Sequence, residues 1–307
     1  MKILFTLYLL TASIMATKAQ LPEHLASELV IVNVETGKER TVLREERHFE
    51  APNWSRDGKF LLINADGFLE KISIEGENLE KINPTYVNDC NNDHGLTFDG
   101  KTLIFSKNEQ SLASGANSRV YTVPLAGGKP TLITPKFPSY WHGVSPDGRT
   151  LLYVGERNGN WDIFKTDVKT NEEIRLTTAK NLDDGPEYSY DGEWVYFNSY
   201  RTGQMHLYRM KPDGSEQEQL TLDEFDNWFP HPSPNGESLA YISYLENQNG
   251  QHPFGKDVKL RIFDTRTREA RDLTSVFYGG QGTMNVPSWS PDGKFIAFVR
   301  YQNLTKK

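Results

Sequence analysis

Histidine is scarce in this chain, with seven in 307 residues, and three of them recur at related places. His94, His142 and His231 each stand two or three residues before a Ser/Thr-x-Asp/Asn-Gly tetrapeptide. Glu187 holds the same place before a fourth copy. The same lead-in segments carry Asn91, Asp93, Tyr140, Trp141 and Trp228, and Arg157 and Arg201 follow the next apolar runs. Imidazole can act as a general base because its unperturbed pKa lies near neutrality. An Arg fork matches a carboxylate or sulfate. With aromatic faces to stack on a pyranose ring, such a set suits an anionic sugar. His94, His142 and His231 are also candidate ligands for a divalent first-row metal. The bland reading uses the same residues. His and Trp can be contacts between packed elements, and Arg157 and Arg201 can pair with Glu156, Asp183 or Asp184.

What would bring such residues together is a repeat. Six turns recur, at Ser55–Gly58, Thr97–Gly100, Ser145–Gly148, Ser189–Gly192, Ser233–Gly236 and Ser290–Gly293, and their Gly-to-Gly steps are 42, 48, 44, 44 and 57 residues. Asp-Gly or Asn-Gly suits a tight turn. A continuous apolar run follows each, such as Leu151–Val154 or Trp194–Phe197, as expected for a strand buried on both faces. An alternating third strand comes next, and a fourth often ends in an apolar-Thr pair, as at Ile133-Thr134, Leu176-Thr177, Leu220-Thr221 and Leu273-Thr274. Four strands per repeat of this length make a propeller blade. The last repeat has only two strands after its lead-in, and Leu29–Val34 with Arg40–Leu43 supply the missing pair. The expected fold is therefore an all-β, six-bladed propeller over residues 20–307, its last blade closed by N-terminal strands. In that geometry the lead-in segments share one channel face and the Gly turns share the other.

These turns, the Leu-Thr strand ends and the six-fold count resemble the TolB-type propellers over residues 25–303. TolB itself carries an additional N-terminal α/β domain for which this chain has no room, so a Tol-system role is not expected. The repeats and the His and Arg on one face also resemble the oligogalacturonate lyases. That family has a His base, an Arg, and a manganese held by His residues and a Gln in a Gln-x-x-His-x-His run. Here the corresponding stretch is Gln281-Gly-Thr-Met284-Asn-Val286. The resemblance implies Gln281 as a further metal ligand beside His94, His142 and His231, but both His of that run are replaced.

Two functions follow, in different classes. One is β-elimination from a uronic-acid-containing oligosaccharide, by a lyase or a dehydratase, leaving a 4,5-unsaturated uronate. His142 or His231 would take the C5 proton. Arg201, with Arg157 or a metal such as manganese, would neutralise the carboxylate. Asn91, Asp93, Tyr140, Trp141, Glu187 and Trp228 would bind the sugar. The long polar excursion Glu246–Asp257 would fold over the channel mouth. The other function is a non-catalytic, TolB-like binding propeller for a peptide or glycan. Neither a GxSxG elbow, an HExxH motif nor a phosphate loop is present in the sequence.

Net charge is −7 with no long basic run, which argues against nucleic acid. The single cysteine, Cys90, excludes an internal disulfide and a zinc site of several thiolates. A monomer is expected. Residues 1–19 read as a signal peptide: Lys2, an apolar stretch to Ala16, then Thr17-Lys18-Ala19 before the cut. The apolar stretch is short for a membrane span and is interrupted by Thr and Ser. The product is therefore expected in the periplasm or medium. N-terminal sequencing of protein from a host periplasm should read from about Gln20; recovery in membranes with residues 1–19 attached would contradict export.

Overall fold

The computed structural model describes residues 21–112 and 116–305; the expected signal peptide lies outside them. Six antiparallel sheets form the blades. Blade one runs from Glu50 to Lys81, blade two from Cys90 to Leu132, blade three from Ser139 to Arg175, blade four from Asp183 to Gln219, and blade five from Asp226 to Asp272. In blade six, Phe295–Asn303 pairs with Leu25–Asn33 over nine residues, and Glu39–Glu45 follows outside. Its innermost element is a short stretch bridged at Trp289↔Ile296. The expected closure by the N-terminal strands is present. No described helix is long and apolar enough to cross a membrane.

Two side-chain devices recur, one in all six blades and one in blades two to five. In the Gly turns, the Ser or Thr hydroxyl donates to the Asp or Asn two residues on, as Ser55 does to Asp57 at 2.8 Å and Ser189 to Asp191 at 2.6 Å. The same Ser oxygen accepts the backbone N–H five residues ahead, at 3.0 Å from Phe60 and 2.9 Å from Trp194. The closing Gly sits at a φ of 69–75° in all six, which only glycine adopts freely. The second device explains the apolar-Thr pairs. Thr134, Thr177, Thr221 and Thr274 each accept the N–H of a third-strand residue fourteen positions earlier, at 2.8–3.0 Å. A buried N–H with no strand partner is thereby satisfied.

Apolar residues fill the six gaps between neighbouring blades, one cluster per gap. The second strands contribute most, because both of their faces are covered. Around the turn-face mouth, the second turn residues are Arg56, Phe98, Pro146, Tyr190, Pro234 and Pro291. Arg56 reaches from blade one to blade four, where its Nη1 donates to the Tyr190 hydroxyl at 3.0 Å. Its guanidinium lies 4.3 Å over the Phe98 ring, and Phe98 meets Tyr190 edge-on at 5.2 Å. These three side chains bridge that mouth.

Removing one threonine hydroxyl tests the second device. Thr177→Val leaves the Ile163 N–H buried and unpaired, which costs about 1–3 kcal/mol. The melting temperature should fall by a few degrees by calorimetry; an unchanged value would mean the bond contributes nothing net.

Candidate functional site

The lead-in segments are not loops. They are the inner strands themselves: Glu50–Trp54, Cys90–Leu96, Ser139–Val144, Asp183–Tyr188 and Asp226–Pro232. Each carries a register break against its second strand, between Glu50 and Asn53, Cys90 and His94, Trp141 and Gly143, Asp184 and Glu187, and Trp228 and His231. A bulge re-aims side chains at the end of a strand. In blades one, four and five the bulge residue before proline takes a left-handed φ: 55° at Ala51, 62° at Gly185 and 55° at Phe229. Their N–H groups are fixed by Gly282 O at 2.7 Å, Asp184 Oδ1 at 2.7 Å and Asn198 Oδ1 at 3.0 Å.

The bulges turn polar groups toward one another at the channel mouth. His142 Nε2 of blade three lies 3.1 Å from Asp184 Oδ1 of blade four, both almost fully buried. Phe229 of blade five stacks on His142 with centroids 5.7 Å apart. Above them crosses the excursion of blade five, a strap that carries His252. Its Nε2 is 3.8 Å from Asp184 Oδ2, and its Nδ1 bonds Gln281 Oε1 of blade six. Gln281 Oε1 also accepts from Asn285 Nδ2 at 3.2 Å. Trp228 meets the His252 ring edge-on at 4.6 Å.

Electrostatics sort these groups. Burial disfavours an imidazolium at His142, but the hydrogen bond and charge of Asp184, with Asp93 adding, outweigh it and raise its pKa. Burial likewise penalises the Asp184 carboxylate, yet His142, His252 and the Gly185 N–H hold its pKa down. Each partner thus favours the ionised form of the other. His252 is pushed down by burial, against the pull of Asp184 and Gln281, and stays neutral. Asp93 is pushed up to about 7 by burial, with Asp184 adding and His142 opposing. The Tyr140 hydroxyl is also raised by burial and by Asp93 and Asp184.

The other expected residues are placed differently. Arg201 stays in blade four, with Nη2 3.1 Å from Asp183 Oδ1, Nε 2.7 Å from Ser199 Oγ, and Nη1 2.8 Å from Gln217. Arg157 stays in blade three, on Glu173 at 2.7 Å and the Pro138 carbonyl at 2.8 Å. Neither is brought to the His142 cluster. His231 is spent between blades: Nδ1 lies 2.6 Å from Glu187 Oε2, and Nε2 lies 3.1 Å from the Met284 carbonyl. Asn91 Oδ1 accepts the Asp93 N–H at 3.0 Å and so positions Asp93. Trp141 and Trp228 are core residues, fully buried. The Trp141 indole fills the space beside Gly95, where a Cβ would come within 2.4 Å of it. His94 is fully buried against the Leu62 and Asn92 backbone, and burial pushes it down to about 4. Sequence reasoning missed His252 and Asn285. The only signal for His252 was the lengthened fifth repeat that carries it.

A manganese set does not fit these residues. Both His231 nitrogens are engaged, Gln281 Oε1 serves His252 and Asn285, and among the described residues no group of three or more His, Cys, Asp or Glu is placed to hold a metal ion.

Comparison with known proteins bears on the fold and its lineage. A family model described as the TolB β-propeller domain matches residues 135–307. An uncharacterized protein of Agrobacterium fabrum is 44% identical over 90% of this chain and 92% of its own. The chain belongs to the TolB β-propeller family. A solved structure from Agrobacterium tumefaciens that carries the TolB name is similar at a TM-score of 0.85 and 43% identity, over 91% of this chain and 99% of that one. An oligogalacturonate lyase in complex with manganese is similar at a TM-score of 0.55 and 19% identity, over 91% of this chain and 78% of that one, a likeness of fold alone.

Asp93 offers a pH test. Its folded pKa of about 7 lies above its ordinary 3.8, so its contribution is present below about pH 4 and is lost as pH rises through 7. The full difference is on the order of 4 kcal/mol. Wild type should lose stability between pH 5 and pH 8 in denaturant titrations, and Asp93→Asn should lose markedly less. An equal loss in both would show that Asp93 is not held protonated.

Proposed function

We propose that this propeller is an exported, carbohydrate-active enzyme that performs β-elimination on uronic-acid-containing oligosaccharides, in polysaccharide breakdown. The observation that carries the reading is the His142–Asp184–His252–Gln281 cluster, gathered from blades three to six under the strap. With Arg157 and Arg201 committed inside their blades and His142 held by Asp184, the group that meets the sugar carboxylate is Asp93 in its protonated form, which donates a hydrogen bond to it. Drawing charge off the carboxylate in this way acidifies the C5–H bond. When C5 loses its proton to a base, that electron pair becomes the C4=C5 bond. The C4–O bond breaks with its own pair. The departing oxygen takes a proton from the Tyr140 hydroxyl or from water. A glycosidic oxygen at C4 makes the enzyme a lyase, and a hydroxyl makes it a dehydratase. No step is routed through a metal.

A second reading is a non-catalytic binding propeller of the TolB type. The pairing of Arg157 and Arg201 within their own blades, and of His231 with Glu187, favours it.

A screen of uronic-acid oligosaccharides separates the two. The expected result is ultraviolet absorbance from the conjugated uronate, with mass showing either loss of one water or chain cleavage. His142→Ala should cut turnover by about 10²–10⁴-fold, the range for a positioned acid–base or charge partner. Saturable binding of an oligosaccharide or peptide without any unsaturated product would decide for the binding propeller.

A further inference from the structure

His252 is set apart from the other histidines by where it comes from. It lies on the strap between the second and third strands of blade five, outside the repeat. The strap is tied down at several points around the mouth. Asn247 Nδ2 donates to the Gly203 carbonyl of blade four at 3.0 Å, and the Gln248 N–H donates to Asp226 Oδ2 at 2.6 Å. The Tyr244 hydroxyl donates to the Pro253 carbonyl at 3.0 Å. Phe254 then packs on Tyr301 of blade six with centroids 4.6 Å apart, and edge-on to His48, next to blade one, at 5.8 Å. The strap thus spans from blade four to the blade six and blade one side, and holds His252 over the His142–Asp184 pair.

The tautomer of His252 follows from its partner. Gln281 Oε1 can only accept, so Nδ1 must carry the hydrogen. In the neutral ring Nε2 therefore keeps its lone pair. Nε2 is too far from Asp184 Oδ2, at 3.8 Å, to be spent in a hydrogen bond. His142 Nε2 is taken up by Asp184 at 3.1 Å and His231 has both nitrogens engaged, so neither offers that lone pair.

We infer that His252 is the base that takes the C5 proton, that Gln281 is the positioning residue that fixes its tautomer, and that the strap must lift to admit substrate because it covers the pair it completes. This rests on the β-elimination reading above. In the step, the C5–H electron pair passes into the C4=C5 bond and the proton passes to Nε2. The strap's Gly250 and Gly255, at φ values of 74° and 75°, lie on either side of His252 and can absorb the backbone change of a lift.

The test uses the full-length exported protein and the uronate substrate found by the screen. His252→Ala should lose about 10²–10⁴-fold in kcat with little change in KM. Free imidazole should restore part of that loss. His252→Asn, which keeps a donor toward Gln281 but has no base, should lose as much and guards against a folding defect. Gln281→Leu should lower kcat, and Gln281→Glu, which keeps an acceptor, should recover most of it. Independently of activity, nitrogen-15 spectra of labelled histidine should show His252 as the Nδ1–H tautomer in wild type and a mixture in Gln281→Leu. Wild type that yields no unsaturated product from any uronate sinks the reaction itself and the base with it. Wild type that yields product while His252→Ala keeps full kcat overturns the assignment of His252 alone. An Nε2–H tautomer in wild type overturns the role of Gln281.

Discussion

The structure depends on nine residues of the first strand lying against nine of the last. In a ring of sheets every blade is covered on both faces only if the ring closes, and Leu25–Asn33 against Phe295–Asn303 is where it closes. Successive residues of a strand face opposite sides. Val30 and Val32 accordingly enter the core shared with blade five, while Leu29 and Ile31 enter the core shared with blade one. A single strand holds two of the six hydrophobic gaps, so loosening it opens both. The pairing also spends backbone donors that would otherwise form a free sheet edge.

Inside that ring, local strain is what builds the mouth. Ala51 and Phe229 hold a conformation that side-chain-bearing residues avoid, at a cost on the order of 1 kcal/mol or more each. The blades over-determine it, since neighbouring carbonyl and amide oxygens grip the strained N–H groups. At Phe229 the return is a ring that stacks on His142 of blade three.

Much of this was written in the chain because it is local chemistry said several times. A Ser or Thr paired with Asp or Asn and a left-handed Gly need only four consecutive residues and occur six times, and a Thr that caps the third strand occurs four times, so the ring is spelled out repeatedly. The site was less legible because one residue of register changes a partner. His94 and His142 stand three residues before the turn, where the other four blades have Pro52, Pro186, Pro230 and Pro287. Glu187 and His231 stand two before it, with Asn53, Gly95, Gly143 and Ser288. That second position forms a belt between blades: Asn53 reaches the Pro287 carbonyl, Ser288 reaches the Pro52 carbonyl, and Glu187 and His231 find each other. Grouping His142 with His231 overlooked that step. Arg201 meets Asp183, one of the partners that the sequence offered, whereas the partner of Arg157 was hidden, since Glu173 lies in a fourth strand whose register no turn motif announces. His252 belongs to no repeat at all.

The Arg56–Tyr190–Phe98 bridge braces the ring. A guanidinium and two rings from blades one, two and four lock together across the turn face. Blades one and four do not adjoin in the ring, so this contact is a chord across it. It ties the two halves of the circle to each other independently of the seam where the termini meet, and a strain that parts that seam still meets a second tie.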